Sequence, residues 1–206
     1  MTQPADIERV LRTRLDDLCA EGWAIFERFD LEVRDHHFHP FIASEYEVVL
    51  DALMQYRGQG VRFLEWGSAS GVITIMADLL GYSASGIEID ASLVQTARTL
   101  AEQFDSGARF VVGSFLPTEY RWQPASGDGR TGTVGSGPSG YSQLGQALDD
   151  FDVVFCYPWG GEEPMMLDLM KRYGSPDAVL LIHGVNDGVK ASRGGREPIG
   201  VSIGVG

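Results

Sequence analysis

Two carboxylates and two glycines carry the clearest chemical signal in this sequence. Glu65 ends a largely apolar run at residues 61–64, and Gly67 and Gly71 follow it. A helix-length apolar segment occupies residues 72–80, and a second strand-like run ends in Glu88, 23 residues after Glu65. The pattern reads as strand, glycine-rich turn, helix and parallel strand, within the roughly 30 residues of a nucleotide-binding βαβ unit. Glycine lets the backbone bend sharply and approach a ligand with no Cβ in the way. The helix opening after Gly71 directs its free N–H groups over the turn. An acid at the tip of the second strand accepts hydrogen bonds from a ribose diol. The chemistry predicted from this set is the binding of an adenosine-type cofactor.

The glycine spacing narrows the cofactor. A dinucleotide fingerprint reads G-x-G-x-x-G, and the sequence has E-x-G-x-x-x-G instead. This resembles the first motif of the class I S-adenosylmethionine-dependent methyltransferases, an acid followed by three alternating glycines. Ala69 stands at the middle glycine, although alanine disfavours positive φ. The resemblance implies a Rossmann-like fold and S-adenosyl-L-methionine as cofactor. It places Glu65, Gly67, Ser68, Ala69 and Gly71 against the methionine part, with Glu65 ordering the turn and approaching the amino group. Glu88, followed by Ile89, takes the ribose. Family members often have an acid near the end of the third strand for the adenine amino group. Ser114 stands there in this chain, and Phe115 beside it is a candidate to pack on the adenine face.

Further candidates sit where a fourth and a fifth strand end. FDVVFCY, residues 151–157, is apolar as a central parallel strand should be, and it runs into PWGGEE. Ligands of open α/β sheets bind beyond the carboxyl ends of such strands. Cys156-Tyr157-Pro158-Trp159 resembles the Asn/Asp-Pro-Pro-aromatic motif of amino-group methyltransferases, without its amide or acid. The residues expected beside the acceptor are Tyr157, Trp159 and Glu162, the last equally suited to a helix first turn. DAVLLIH, residues 177–183, delivers His183 to the same edge, as a general base or as a hydrogen-bonded wall residue.

The remaining elements must hold these residues. Residues 5–29 carry one apolar stripe, from Ile7 through Leu15 and Leu18 to Phe29, and predict an amphipathic helix. Ser44 with Glu47 has the spacing of a capping box opening a helix over 45–56. His36, His37 and His39 lack a second Cys/His cluster, so no metal is expected; the loop is solvated, or, as the resemblance implies, Phe38 to Phe41 form a lid beside the cofactor pocket. Residues 91–104 form a helix with Leu93, Val94, Ala97 and Leu100 buried, and 109–113 a third strand. Residues 123–145 are rich in glycine and serine and predict a long insertion, mobile over 123–140 without substrate. About 20 residues after His183 offer one strand at most, near 199–205, which leaves a shortened C-terminal sheet edge or one covered by another copy in a homo-oligomer.

Composition bounds the class. The 206 residues, 44% hydrophobic, suit one α/β unit: a mostly parallel sheet over 59–206 with a helical cap over 1–58. A net charge of −13 disfavours nucleic-acid partners. No apolar run approaches about 20 residues, and the N-terminus lacks an apolar signal core, so no membrane partner and a cytoplasmic location are expected. Cys19 and Cys156 read as small buried hydrophobes. The function expected is methyl transfer to a small-molecule or protein acceptor. The rivals are a binding module without catalysis and a nucleotide-dependent oxidoreductase.

Overall fold

Residues 4–34, 39–58, 60–122, 134–135, 137–185 and 187–196 are described by a computed structural model. Apolar residues at helical spacing build α1 (Pro4–Phe29), which runs on into a π-helical turn at Asp30–Arg34. Then come α2 (Tyr46–Tyr56), β1 (Arg62–Trp66), α3 (Val72–Leu79), β2 (Ser83–Glu88) and α4 (Ala91–Gln103). After β3 (Arg109–Val112) the chain forms the one-turn α5 (Tyr141–Leu144), β4 (Val153–Cys156), α6 (Glu163–Tyr173), β5 (Val179–Gly184) and β6 (Gly188–Arg193).

The strands form one sheet in the order β3-β2-β1-β4-β5-β6. The first five are parallel, and β6 folds back antiparallel on β5. Strand order reverses between β1 and β4, where Trp66 pairs with Cys156, and a crevice opens at such a point. Alternation along β1 and β4 sends Phe63, Val153 and Phe155 to one face, and Leu64, Trp66, Val154 and Cys156 to the other. The first face is covered by α1 to α4; the second by α6, α5 and the chain around Tyr120. Leu15 and Leu18 of α1 are buried in the first cluster, each contributing roughly 1.5–3 kcal/mol. Arg14 of α1 also donates to the carbonyl of Phe104 at the end of α4.

Three expectations are corrected. Ser44 and Glu47 form no capping box: α2 begins without a side-chain cap bond, and Glu47 instead takes the guanidinium of Arg12 in α1 at 3.0 Å. Tertiary pairing outcompeted the local cap. The last strand among the described residues lies at Gly188–Arg193, where none was expected, because a turn after Gly184 brings the chain straight back along β5; residues 199–205 lie outside the described residues. Cys19 is half-buried rather than buried, while Cys156 is buried.

Most of the glycine- and serine-rich segment, 123–133 and 136, lies outside the described residues. Its later part is packed. Ser114 N donates to Pro138 O and Gly140 N to Ser114 O, both at 2.8 Å. A Cβ on Gly140 would meet Ile87 at 2.7 Å, so bare backbone lies directly on β2. Tyr141 is buried, its hydroxyl accepting from Trp66 Nε1 at 2.9 Å.

Candidate functional site

The site begins where β1 passes into α3. Glu65 leaves β1 on the helical face, and its Oε2 accepts from Thr74 N at 2.9 Å and from the Thr74 hydroxyl. The carboxylate thereby ties the first turn of α3 to the strand. Burial pushes Glu65 up to about 8, against the pull of the two Thr74 bonds. Between strand and helix the turn is seated on β2: Gly67 N and Ser68 N both donate to Ile87 O, at 2.9 and 3.1 Å. Gly71, with φ of 82°, caps α3 in a left-handed conformation, and a Cβ there would lie 2.7 Å from Ala97 and Phe110.

Ala69 adopts a left-handed backbone, with φ of 45°. An L-residue in this region costs roughly 1–2 kcal/mol. Glycine relieves that cost but widens the unfolded ensemble by roughly 0.4–1 kcal/mol. Ala69→Gly is therefore expected to stabilise the protein by between zero and about 1.6 kcal/mol in urea unfolding. A loss of stability would show that the Ala69 methyl makes packing contacts that outweigh the strain.

At the end of β2, Glu88 Oε2 accepts from Ala69 N and Oε1 from Asp90 N, both at 2.9 Å. Burial raises its pKa, and these backbone donors oppose the rise. Asp90 caps α4, its Oδ1 accepting from Ser92 N at 2.7 Å and Leu93 N at 3.3 Å. Its Oδ2 lies 3.3 Å from His39 Nε2. Because His39 Nδ1 accepts from Phe41 N at 3.1 Å, the neutral ring carries its proton on Nε2 and donates to Asp90. Burial works against the Asp90 charge, but the bonds from Ser92, Leu93 and His39 outweigh it and hold its pKa below the ordinary value.

These groups face one cavity of about 530 Å³ at the carboxyl edge of the sheet. The turn at 67–70, Glu65, Glu88, Ile89 and Asp90 form one end, and Phe155, Tyr157, Trp159 and Val185 line it as well. Its roof is the connector between α1 and α2, from His39 to Tyr46. Phe41 anchors the roof, its ring 5.5 Å from Phe26 and 5.1 Å from Phe29. The lid expected near residues 38–41 thus has its described part over the cavity, while His36, His37 and Phe38 lie outside the described residues. Among the described residues no group of three His, Cys, Asp or Glu is arranged to hold a metal. None of their helices is long and apolar enough to cross a membrane.

No family model matches this chain, and no curated protein matches it in sequence. Among solved structures it is similar to an RNA methyltransferase from Salinibacter ruber in complex with S-adenosyl-L-homocysteine. The identity is 18%, the TM-score 0.50, and the match covers 68% of this chain and 76% of that one. The chain has the fold of that methyltransferase. Precorrin-6y C5,15-methyltransferase from Geobacter metallireducens is similar at 18% identity and a TM-score of 0.49, over 73% of this chain and 69% of that one.

Within this methyltransferase fold, five of the expected site residues lie outside the cavity lining, Gly71 among them as the cap of α3. Ser114 and Phe115 follow β3 but turn under the sheet. The Ser114 hydroxyl accepts from Leu116 N at 3.2 Å, and Phe115 stacks on Trp66 at 5.3 Å within the second core cluster. Glu162 is 1% exposed and lies beneath the turn, its Oε2 accepting from Trp159 N at 2.9 Å. It shapes the turn that presents Trp159. His183, 1% exposed, sits beside the Tyr157 ring at 4.4 Å, and neither ring nitrogen has a hydrogen-bond partner among the described residues. Conversely, Tyr46, Asp90 and Leu93 line the cavity although their sequence signal is that of helix cap and core.

Burial lowers the His183 pKa below its ordinary 6.5, and the Glu45 charge only partly opposes it. The unfolded chain therefore binds a proton at a higher pH than the folded one. The stability from neutral His183 is complete above pH 6.5 and is lost as pH falls through the folded-state value. His183→Phe, which also removes two unpaired buried nitrogens, is expected to match or exceed the wild type at neutral pH and to lose less at pH about 5. Parallel losses in urea midpoint for both proteins would exclude this account.

Proposed function

We propose that this protein transfers the methyl group of S-adenosyl-L-methionine to a small acceptor. The observation that carries the reading is the convergence of the Glu65 turn, Glu88 and the Tyr157–Trp159 turn on one roofed cavity. The residues present fit the cofactor. Glu88 retains free lone pairs beside its two backbone bonds and suits the ribose hydroxyls. Ile89 and Leu93 offer apolar surface to the base, and Glu65 suits the methionine ammonium. Bound there, the cofactor supplies a methyl group already electrophilic on sulfur. The chain's own contribution is orientation and exclusion of water, which supply much of the rate in such a displacement. Glu162 and Pro158 fix the turn presenting Trp159, and His183 backs the ring of Tyr157. An RNA acceptor, as named for the Salinibacter protein, is not supported by a chain of net charge −13.

Calorimetric titration with S-adenosyl-L-homocysteine and transfer of labelled methyl into a cell lysate test the proposal; absence of binding ends it. Glu65 adds a pH signature. The free protein holds this carboxyl protonated up to about 8, and a bound ammonium favours its ionised form. Binding then releases a proton at lower pH, so affinity is expected to rise toward pH about 8 and level off above it. In Glu65→Gln this component of the rise should vanish. A pH dependence identical in both proteins would place the ammonium away from Glu65.

A further inference from the structure

We infer that the acceptor is an uncharged aromatic molecule of one or two rings, held between Trp159, Tyr157 and Phe41; the inference rests on the methyl-transfer reading. The acids lining the cavity, Glu65, Glu88 and Asp90, are each bound to backbone N–H groups around the glycine-rich turn, and the charge of Glu45 reaches Tyr157 from outside the lining. Toward the ends of β4 and β5 the lining residues are Phe155, Tyr157, Trp159 and Val185, with Phe41 above. Among the described lining residues none is lysine or arginine. An anionic acceptor entering this end would lose its hydration with no lysine or arginine among the described lining residues to pair with it, against a net charge of −13. An alkylammonium acceptor has its nitrogen lone pair bound to a proton and must lose that proton to a base before it can attack the methyl carbon.

Size and access agree. A cofactor of adenosylmethionine dimensions takes most of the 530 Å³, which leaves room for a small ring system. The roof, held by His39 on Asp90 and by Phe41 on Phe26 and Phe29, bars a polymer strand from lying across the cavity. Flat rings stack on the tryptophan and tyrosine faces offered there. A phenolic hydroxyl supplies the nucleophile. Its oxygen bonds to the methyl carbon as the carbon–sulfur bond breaks, the bonding pair stays on sulfur, and the phenolic proton passes to water. Water reaches the mouth beside Val185, which is 69% exposed.

The test is calorimetry at pH about 7 with three probes of one shape: 2-naphthol, 2-naphthoate and 2-naphthylmethylamine, each with and without S-adenosyl-L-homocysteine. The neutral probe is expected to bind at least about tenfold more tightly than either charged one. Trp159→Ala should weaken 2-naphthol about tenfold or more while the affinity for S-adenosyl-L-homocysteine changes less than about twofold. Val185→Lys, at an exposed position that leaves the core intact, should bring 2-naphthoate level with 2-naphthol. A charged probe binding the wild type as well as 2-naphthol, or 2-naphthol indifferent to Trp159→Ala, overturns the inference. Failure of S-adenosyl-L-homocysteine alone to bind, with 2-naphthol retained, instead removes the methyl-transfer reading and leaves an aromatic-ring site.

Discussion

Gly86→Ala is expected to weaken binding of S-adenosyl-L-homocysteine by up to about 100-fold, the overpacking cost expressed in affinity, although residue 86 lies inside a strand and outside the cavity lining. A Cβ at this position would lie 2.6 Å from Ser68 Cβ, 2.7 Å from Ser68 Oγ and 3.0 Å from Phe110. Overpacking of this kind costs roughly 1–3 kcal/mol. The strand is held on both sides by β1 and β3, so the turn gives way first. Its links to β2 are the bonds from Gly67 N and Ser68 N to Ile87 O and from Ala69 N to Glu88. A shift near one ångström breaks these and misplaces the cofactor, which accounts for the predicted loss. Ser68→Gly removes both obstructing atoms, and the buried Ser68 Oγ has no hydrogen-bond partner to lose. The double variant should therefore recover most of the affinity. Wild-type binding by Gly86→Ala alone would mean that the turn does not depend on its seat on β2.

Glu88→Gln is expected to act twice. Replacing a charged acceptor removes roughly 1.5–3 kcal/mol of interaction, so affinity for S-adenosyl-L-homocysteine should fall by about 10- to 150-fold. The fold should suffer as well, because this strand-tip carboxylate also holds the backbone on either side of it. Both oxygens of Glu88 accept backbone N–H groups, from Ala69 and Asp90. A glutamine amide turns one of them into a donor facing a donor, at a cost of roughly 1–3 kcal/mol in unfolding free energy. Asp90→Asn is the control. Its side-chain oxygen can still cap α4, but the amide meets the His39 Nε2–H and releases one tie of the roof. A loss of about tenfold or less in affinity is expected there. A larger loss from Asp90→Asn than from Glu88→Gln would place the ribose at Asp90.

What was legible in the sequence is what neighbouring residues decide among themselves. The strand, turn, helix and strand around Glu65, Gly71 and Glu88 could be read because an acid at a strand end and glycines at a tight turn are local requirements. The buried stripe of α4, Leu93, Val94, Ala97 and Leu100, followed from periodicity alone. Tertiary structure decided the direction of each side chain just past a strand end, where alternation stops and the following turn takes over. That is why Phe115 lies under the sheet against Trp66 and Glu162 beneath the Trp159 turn, while Tyr157 and Trp159 face the cavity. The same holds for the glycines at 135, 137 and 140. Their composition suggested a mobile loop, since packing by bare backbone leaves no apolar period, yet they lie against Ile89 and Ile87. The roof from His39 to Tyr46 is the furthest case, because its place depends on Asp90, Phe26 and Phe29, residues that only the completed fold brings to it.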